Sequence, residues 1–460
     1  MKYGLLIYFG STYCNFGDYV QSIAIEYLYR EVMKIPNEQI VYVTQQELST
    51  YDGEPILLPY SYVLSFLLDD KREKACLSKK ITPIFLGASV EFATLYDAYP
   101  LDNFKDKEKG YFELFLNNGP VGCRDNFTRS FLQDIGIDAY LQSCITNILP
   151  YREAGDYKKI MLVDVPVEAL QFIPDELLPY LEVVNNAADI GELSYEENYE
   201  RIKSQYEYYY NNASMVISSR YHVVTPCNAM GIPAIFVKRK IDKHIKDIRL
   251  DTLHPDIQLV ENYDFSKVDF YKKISFDKNI ELKQNITSLA IKRMKNTSGY
   301  TEEIDFIKNF YQNRIKEFSE MQVSENSYNE RLSEYITENY REIKGGFYIW
   351  GAIELLCDGN DISLVEIINS VNPNLVFKGW VDTYKKGCLA NRKIFSPNDF
   401  ELSENEFVVV AAETAADYAK KFFDDRNYDK TQYVILANTI ANKNDVNDLL
   451  KNKNATKFYD

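Results

Sequence analysis

The chain has 460 residues and a formal net charge of −16, with 46% hydrophobic and 26% charged residues. That length suggests about three domains of ~150 residues each, and the composition is that of an ordinary globular protein. The acidic balance excludes a phosphate backbone or an anionic membrane surface as the main partner, since basic surface holds both, while leaving room for a local basic pocket.

Met1 to Gly10 is too short and too aromatic for a signal peptide and reads as a first strand, Leu5 to Phe9, running into a glycine turn. No run approaches the roughly 18 apolar residues of a membrane span, so a soluble, cytoplasmic chain without an integral membrane segment is expected. Asp18 to Val32 carries Val20, Ile23, Ala24, Tyr27 and Leu28 at helical spacing. Ile40 to Val43, Ile56 to Leu58, Ile84 to Leu86 and Val121 to Cys123 read as short buried strands, and Thr128 to Ile135 as a helix stopped by Gly136. This alternation is the βαβ rhythm of a parallel sheet and defines a first domain, residues 1–150.

Pro150 to Lys158 reads as a crossing into a second α/β domain, residues 151–300. Its expected elements are a strand at Ile160 to Asp164, a helix at Tyr195 to Asn211, a strand at Met215 to Ser218, a short helix at Pro226 to Met230 and a strand at Ala234 to Val237. Residues 301–345 are polar and helix-rich, with helices expected at Glu302 to Met321 and Tyr328 to Ile343, either as a connector or packed across both earlier domains. A third α/β unit, residues 346–460, shows strands at Phe347 to Gly351, Leu375 to Trp380, Phe407 to Ala411 and Tyr433 to Leu436, with a helix at Ala415 to Phe423.

The most informative stretch runs from Ser218 to Ile235. Gly231 suits a helix stop, because the cap needs a positive φ, and Pro233 forbids continuation. Arg220 and His222 are therefore delivered at the carboxyl end of a buried strand, where open α/β sheets bind ligands. On an extended segment residues i and i+2 point the same way, so the two are expected to face one ligand. A guanidinium suits phosphate or carboxylate, and an imidazole serves as proton donor near neutral pH. The alternatives are a surface ion pair for Arg220 and a hydrogen-bonded loop histidine for His222. Arg124, in Gly122-Cys123-Arg124-Asp125, is a second strand-end arginine, opening a helix whose amino terminus favours anions; alternatively Asp125 caps that helix. Asn15-Phe16-Gly17-Asp18 opens the first long helix, with Gly17 permitting close backbone approach and Asp18 either a cap or a working carboxylate. Lys238-Arg239-Lys240 and Lys243 form a basic cluster that suits an anionic ligand or a solvated helix start.

Seven cysteines (Cys14, Cys76, Cys123, Cys144, Cys227, Cys357 and Cys388) are scattered, without a CxxC pair. They read as small core residues in a reducing compartment, not a disulfide framework or a zinc site. With His222, His244 and His254 the only histidines, no metal site and no cofactor are expected.

Three segments together resemble the polysaccharide pyruvyl transferase family, in its order and spacing, over roughly residues 1–290. They are Asn15-Phe16-Gly17-Asp18 leading into Gln21-Ser22-Ile23-Ala24; Gly122-Cys123-Arg124-Asp125 with Thr128, Leu132, Gly136-Ile137 and Cys144; and Ser219-Arg220-Tyr221-His222 with Ala229-Met230-Gly231-Ile232-Pro233. The resemblance implies two facing Rossmann-like domains, similar to GT-B glycosyltransferases, with the active site in the cleft between them. It implies transfer of a pyruvyl group from phosphoenolpyruvate to two hydroxyls of a sugar in a cell-surface glycan precursor, as a ketal. By that match Arg220 and His222 are donor-site residues, Arg124 is an anion contact, and Asn15 and Asp18 belong to the amino-terminal motif. The chemistry then makes His222 and Asp18 the expected catalytic pair, with Arg124, Arg220 and Ser219 on the donor and Asn15, Gly17 and Lys243 at the acceptor side or cleft. The partners are then phosphoenolpyruvate and a sugar or lipid-linked glycan, with a peripheral place at the inner membrane face and a homo-oligomer left open. The departures are a poor GG-rich segment, for which Gly87-Ala88-Ser89 is the nearest piece, and the breadth of the family.

The third unit resembles the small Rossmann-like accessory domains of sugar-modifying enzymes. Its turn, Trp350-Gly351-Ala352-Ile353-Glu354-Leu355-Leu356, sets Ile353 and Leu356 where later glycines belong, so impaired nucleotide binding is expected. Two other readings share the architecture: a GT-B-like glycosyltransferase using a nucleotide-sugar, and a non-catalytic scaffold in glycan assembly.

Overall fold

The structure, a computed structural model, describes residues 2–7, 13–67, 75–90, 110–189, 193–238, 248–261, 263–272, 274–320, 345–351, 356–357, 362–383, 385–389, 391–411, 413–429, 432–435 and 440–456. The chain is α/β, with two parallel sheets followed by a mixed one. In the first unit the strands are β1 (Lys2–Ile7), β2 (Tyr13–Asn15), β3 (Ile40–Thr44), β4 (Ile56–Tyr60), β5 (Ile81–Ala88), β6 (Val121–Cys123) and β7 (Ala139–Leu141). Six of them form a sheet in the order β3-β1-β4-β5-β6-β7, with every neighbouring pair parallel. The second unit holds β8 (Lys159–Val163), β9 (Leu181–Val184), β10 (Ala187–Asp189), β11 (Ala213–Ser218), β12 (Ala234–Val237) and β13 (Gln258–Val260). Its all-parallel sheet runs β13-β12-β11-β8-β9.

Both sheets reverse direction beside a strand that feeds one of the motifs. The first order turns at β1, which leads to Asn15–Asp18. The second turns between β8 and β11, whose ends carry Asp164 and Ser219-Arg220. Such switch points open a crevice at the carboxyl ends of the strands. The remaining short strands β2 and β10 pair antiparallel with each other, Asn15 opposite Ala187, which stitches the first unit to the second.

The helices of the first two units are α1 (Phe16–Tyr27), α2 (Tyr111–Asn118), α3 (Asn126–Asp134), α4 (Tyr195–Asn212) and α5 (Tyr221–Ala229), followed by α6 (Phe276–Met294) and α7 (Thr301–Glu320). One apolar core spans both units. It joins Leu5, Tyr19, Val20 and Tyr140 to Val163, Tyr206, Val216 and Val223, and takes Ile286 and Tyr311 from α6 and α7. Of the two roles expected for residues 301–345, packing across both units is the one α7 fills. The second expected helix, Tyr328 to Ile343, lies outside the described residues. A buried carboxylate adds polar cement: Glu26 of α1 accepts from Tyr199 of α4 at 2.9 Å and pairs with Lys203 at 3.1 Å and Arg30 at 2.8 Å.

The third sheet orders Gly387–Leu389, Arg392–Phe395, Leu375–Val381, Gly345–Trp350, Glu406–Val410 and Tyr433–Ile435, with only the first pair antiparallel. The C-terminal helix Lys443–Thr456 packs against the second unit. Ala441 donates its N–H to Val165 at 2.8 Å, and Ala441 and Val446 enter the core formed by Ile160, Leu162 and Val237 of the second unit. Residues 352–355 of the Ile353 turn lie outside the described residues. No described helix is long and apolar enough to cross a membrane.

One expected element is corrected. The helix after β11 begins at Tyr221, five residues earlier than Pro226. Pro226 therefore sits inside it, lacking the N–H that would bond the carbonyl four residues back. That carbonyl belongs to His222, and the Tyr206 hydroxyl of α4 donates to it at 2.6 Å. A side chain from the neighbouring helix thus fills the gap the proline leaves, which removes the reason to start the helix at the proline. Tyr206→Phe should orphan this carbonyl and destabilise the protein by about 1–3 kcal/mol, read as a lowered denaturant midpoint.

Candidate functional site

The site forms where strand ends of the first two units meet. Arg124 follows β6 and is anchored by its backbone: its N–H donates to Ala88 at 2.8 Å, and its carbonyl accepts from Thr252 Oγ1 at 3.1 Å. Its side chain is 2% exposed. Nη1 lies 3.2 Å from Nε2 of His222, on the first turn of α5. The Nε of Arg124 meets no hydrogen-bond acceptor among the described residues. A buried guanidinium facing an imidazole instead of a carboxylate is a costly arrangement in a protein interior, and it suits a place where an anion binds.

A guanidinium can only donate. The contact therefore makes Nε2 of His222 the acceptor and places the ring proton on Nδ1. Burial, then the charges of Arg124 and Arg249, hold the His222 imidazole well below its usual value. The resting imidazole is neutral, and the proton-donor role expected for it requires that this cationic field be offset.

Arg220 is the cap residue of α5, in extended conformation, while His222 is already helical. The alternation argument for a shared face therefore does not apply. Arg220 Nε donates to Asp164 Oδ2 at 2.8 Å. Asp164 follows β8 at a positive φ of 50°, a strained conformation for a non-glycine residue. Its Oδ1 accepts from the N–H of Asn186 at 3.1 Å, and its carbonyl accepts from Ser219 Oγ at 2.6 Å. The carbonyl of Asn186 in turn accepts from the N–H of Phe16 at 3.0 Å. Asp164 thus links the segment at 219–222 to the segment at 15–18. The Asn186 side chain is 1% exposed, and neither of its amide atoms finds a partner among the described residues.

Asp18 is half-buried in the first turn of α1. Burial chiefly raises the Tyr206 and Tyr62 hydroxyls, and the Asp18 carboxylate adds to both shifts. Asp18 is thus within electrostatic reach of the phenol that holds the His222 carbonyl. Gly17 is buried, and Asn15 is placed by its backbone pairing with Ala187. Lys243, with Arg239 and Lys240, lies outside the described residues; Lys238 pairs with Glu261 at 3.2 Å.

The helix amino terminus behind Arg124 is not open. Asp125 caps α3 by accepting from the Thr128 N–H at 2.7 Å, and its other oxygen accepts from Ser89 Oγ at 2.7 Å. Asp251, from the second unit's turn Ile248–Thr252, accepts from the Asn126 N–H at 3.1 and 3.2 Å. The expectation of an anion at this helix end is corrected: two carboxylates already satisfy its first N–H groups. Sequence reasoning missed Asp164, Asn186, Arg249, Asp251 and Thr252. Asp164 had a findable signal, since it ends a strand as Arg124 does; the other four had none. Among the described residues no group of histidines, cysteines and carboxylates could hold a metal.

His222 is folded in its neutral form and takes up a proton near pH ~6.5 once unfolded. It therefore contributes stability above that pH, which is lost as pH falls, by up to about 1.4 kcal/mol per unit. His254, held at about 4 mainly by burial, adds a like contribution. Urea unfolding between pH 5 and 6.5 should show this slope, and His222→Gln should flatten it by one proton's worth.

A family model described as polysaccharide pyruvyl transferase matches residues 15–240. No curated protein matches the chain. The crystal structure of a functionally uncharacterized protein from Klebsiella pneumoniae aligns with 55% of this chain and 92% of its own, at 12% identity and a TM-score of 0.31. The matched span contains all three motif segments and both partners of the Arg124–His222 contact, so over residues 15–240 the chain matches the polysaccharide pyruvyl transferase family.

Proposed function

We propose that the chain moves a pyruvyl group from phosphoenolpyruvate onto two hydroxyls of a sugar in a cell-surface glycan precursor, giving a ketal. The reading is carried by the Arg124–His222 contact: a buried cation against the ring of a neutral imidazole, contributed by different units. Arg220 beside it, held by Asp164, adds a second guanidinium for a donor that carries both phosphate and carboxylate. A GT-B-like arrangement, with the two parallel sheets closing on this site, belongs to the same proposal, as do a cytoplasmic location and a lipid-linked acceptor.

A donor trianion entering beside Arg124 offsets the field that keeps His222 neutral, so the imidazole takes up a proton as the donor binds. His222 then gives that proton to the methylene carbon, leaving an oxocarbenium-like centre at the neighbouring carbon. A sugar hydroxyl oxygen bonds to that centre while Asp18 receives its proton. The carbon–oxygen bond to phosphate breaks, and the second hydroxyl closes the ketal, its proton leaving with the inorganic phosphate. General acid–base help of this kind is typically worth ~10²- to 10⁴-fold.

His222→Ala should therefore keep less than about one hundredth of the phosphate-releasing activity, with unfolding unchanged in cooperativity; near-normal turnover removes His222 from the chemistry. Phosphoenolpyruvate at 100 times its dissociation constant should stabilise the chain by about 2.7 kcal/mol, whereas UDP and GDP should not. Stabilisation by a nucleotide and none by phosphoenolpyruvate would favour a nucleotide-sugar donor instead.

A further inference from the structure

We propose that Asp164 is a positioning residue, which sets the guanidinium of Arg220 for the donor by holding it at Nε. The inference deepens the reading above and rests on it for the donor's identity, though the ion pair stands without it. Asp164 and Arg220 follow neighbouring parallel strands: Val163 closes β8 opposite Ser218 of β11. That is the switch point of the second sheet, where a crevice opens. Beyond it side chains take over from the ladder. Ser218 Oγ donates to the Val163 carbonyl at 2.7 Å, Ser219 Oγ donates to the Asp164 carbonyl at 2.6 Å, and the Arg220 N–H donates to Ser218 Oγ at 3.0 Å. The backbone on both sides of the Asp164–Arg220 pair is therefore fixed.

The carboxylate serves two donors, one with each oxygen. Oδ2 accepts from Arg220 Nε at 2.8 Å, and Oδ1 accepts from the Asn186 N–H at 3.1 Å. The turn at Asp164 needs only its positive φ of 50°, which glycine would supply without strain. The two donors are what need a carboxylate, since a carboxamide accepts at one oxygen and turns N–H groups towards the other donor. The Asn186 N–H is fixed by backbone: the carbonyl of the same residue accepts from the Phe16 N–H, and Ala187 pairs with Asn15. Arg220 is thus the partner free to shift if the carboxylate is lost. The Asp164 side chain is 5% exposed and that of Arg220 is 28% exposed. A buried anchor therefore holds, at Nε, a guanidinium whose side chain still reaches solvent at the strand ends. A guanidinium is planar and rigid, so a bond at Nε limits where its Nη groups point, and bidentate contact with phosphate or carboxylate depends on that direction.

The test uses the full chain, with inorganic phosphate and phosphoenolpyruvate as separate probes. Asp164→Asn keeps a residue that tolerates the positive φ and an oxygen for the Asn186 N–H, but sets an N–H group against Arg220. It should weaken phosphate binding by about 10- to 100-fold, the loss expected for a charge-assisted hydrogen bond. It should raise the KM for phosphoenolpyruvate by a similar factor while kcat changes less. Asp164→Gly, which takes that φ freely, should do the same and serves if the asparagine variant folds poorly. Combining Asp164→Asn with Arg220→Gln separates positioning from propping: with no guanidinium left to set, the double variant should bind no worse than Arg220→Gln alone, whereas a residue that only holds the turn would add its own loss. In the ligand-free wild type the Arg220 Nε–H should exchange slowly with water by NMR, and in Asp164→Asn rapidly. Additive losses in the double variant, or unchanged phosphate affinity and Nε–H exchange in Asp164→Asn, would overturn the proposal. If the wild type binds phosphate but not phosphoenolpyruvate, and the two substitutions weaken phosphate without adding, Asp164 stands and the donor reading falls. If the wild type binds neither, both fall.

Discussion

A guanidinium and an imidazole from different units meet at 3.2 Å, and the candidate site is arranged around that contact. A carboxylate in the imidazole's place would make an ordinary buried ion pair, neutral and closed to ligands. With an imidazole there, the two form no ion pair, and burial, then the cation, hold the imidazole neutral. A negative charge arriving there would meet the guanidinium and raise the imidazole's affinity for a proton. Arg124 is also held at its backbone, by Ala88 of its own sheet and by Thr252 of the second unit.

The carboxylates near the site are all committed to structure. Asp125 caps a helix, Asp251 ties the second unit to that helix, and Asp164 gathers Arg220 and the Asn186 N–H. Asp18 differs in position: it rises from the switch point of the first sheet, half-buried, on the side of Tyr206.

Much of this was legible in the sequence, for definable reasons. Val121 to Cys123 and Ala234 to Val237 were read with their true bounds, because short β-rich runs flanked by turn residues have few other fates. Gly231 was read as a helix stop, and its φ of 82° agrees. For the segment at Arg124 the sequence leaves two readings open, and the structure takes the Asp125 cap. What failed was the start of the helix at His222. Local rules set a proline at a helix opening; the Tyr206 hydroxyl, sixteen residues upstream, compensates an internal one, and no local pattern encodes that. The same limit hides Arg249 and Asp251, whose parts depend on a turn reaching across to another sheet. Strand-end chemistry is written locally, and the contacts that modulate it are not.

The C-terminal helix carries a mechanical consequence. Its first turn and the residues before it join the core beneath β8 and β12, so after the third sheet the chain returns to pack on the second. A module joined by one linker can be excised or swung aside; one whose last described helix is packed into its neighbour is held at two places. Shear applied to the third sheet would be passed directly to the strand bearing Asp164, so anything that grips this outlying module pulls on the arginine anchor as well.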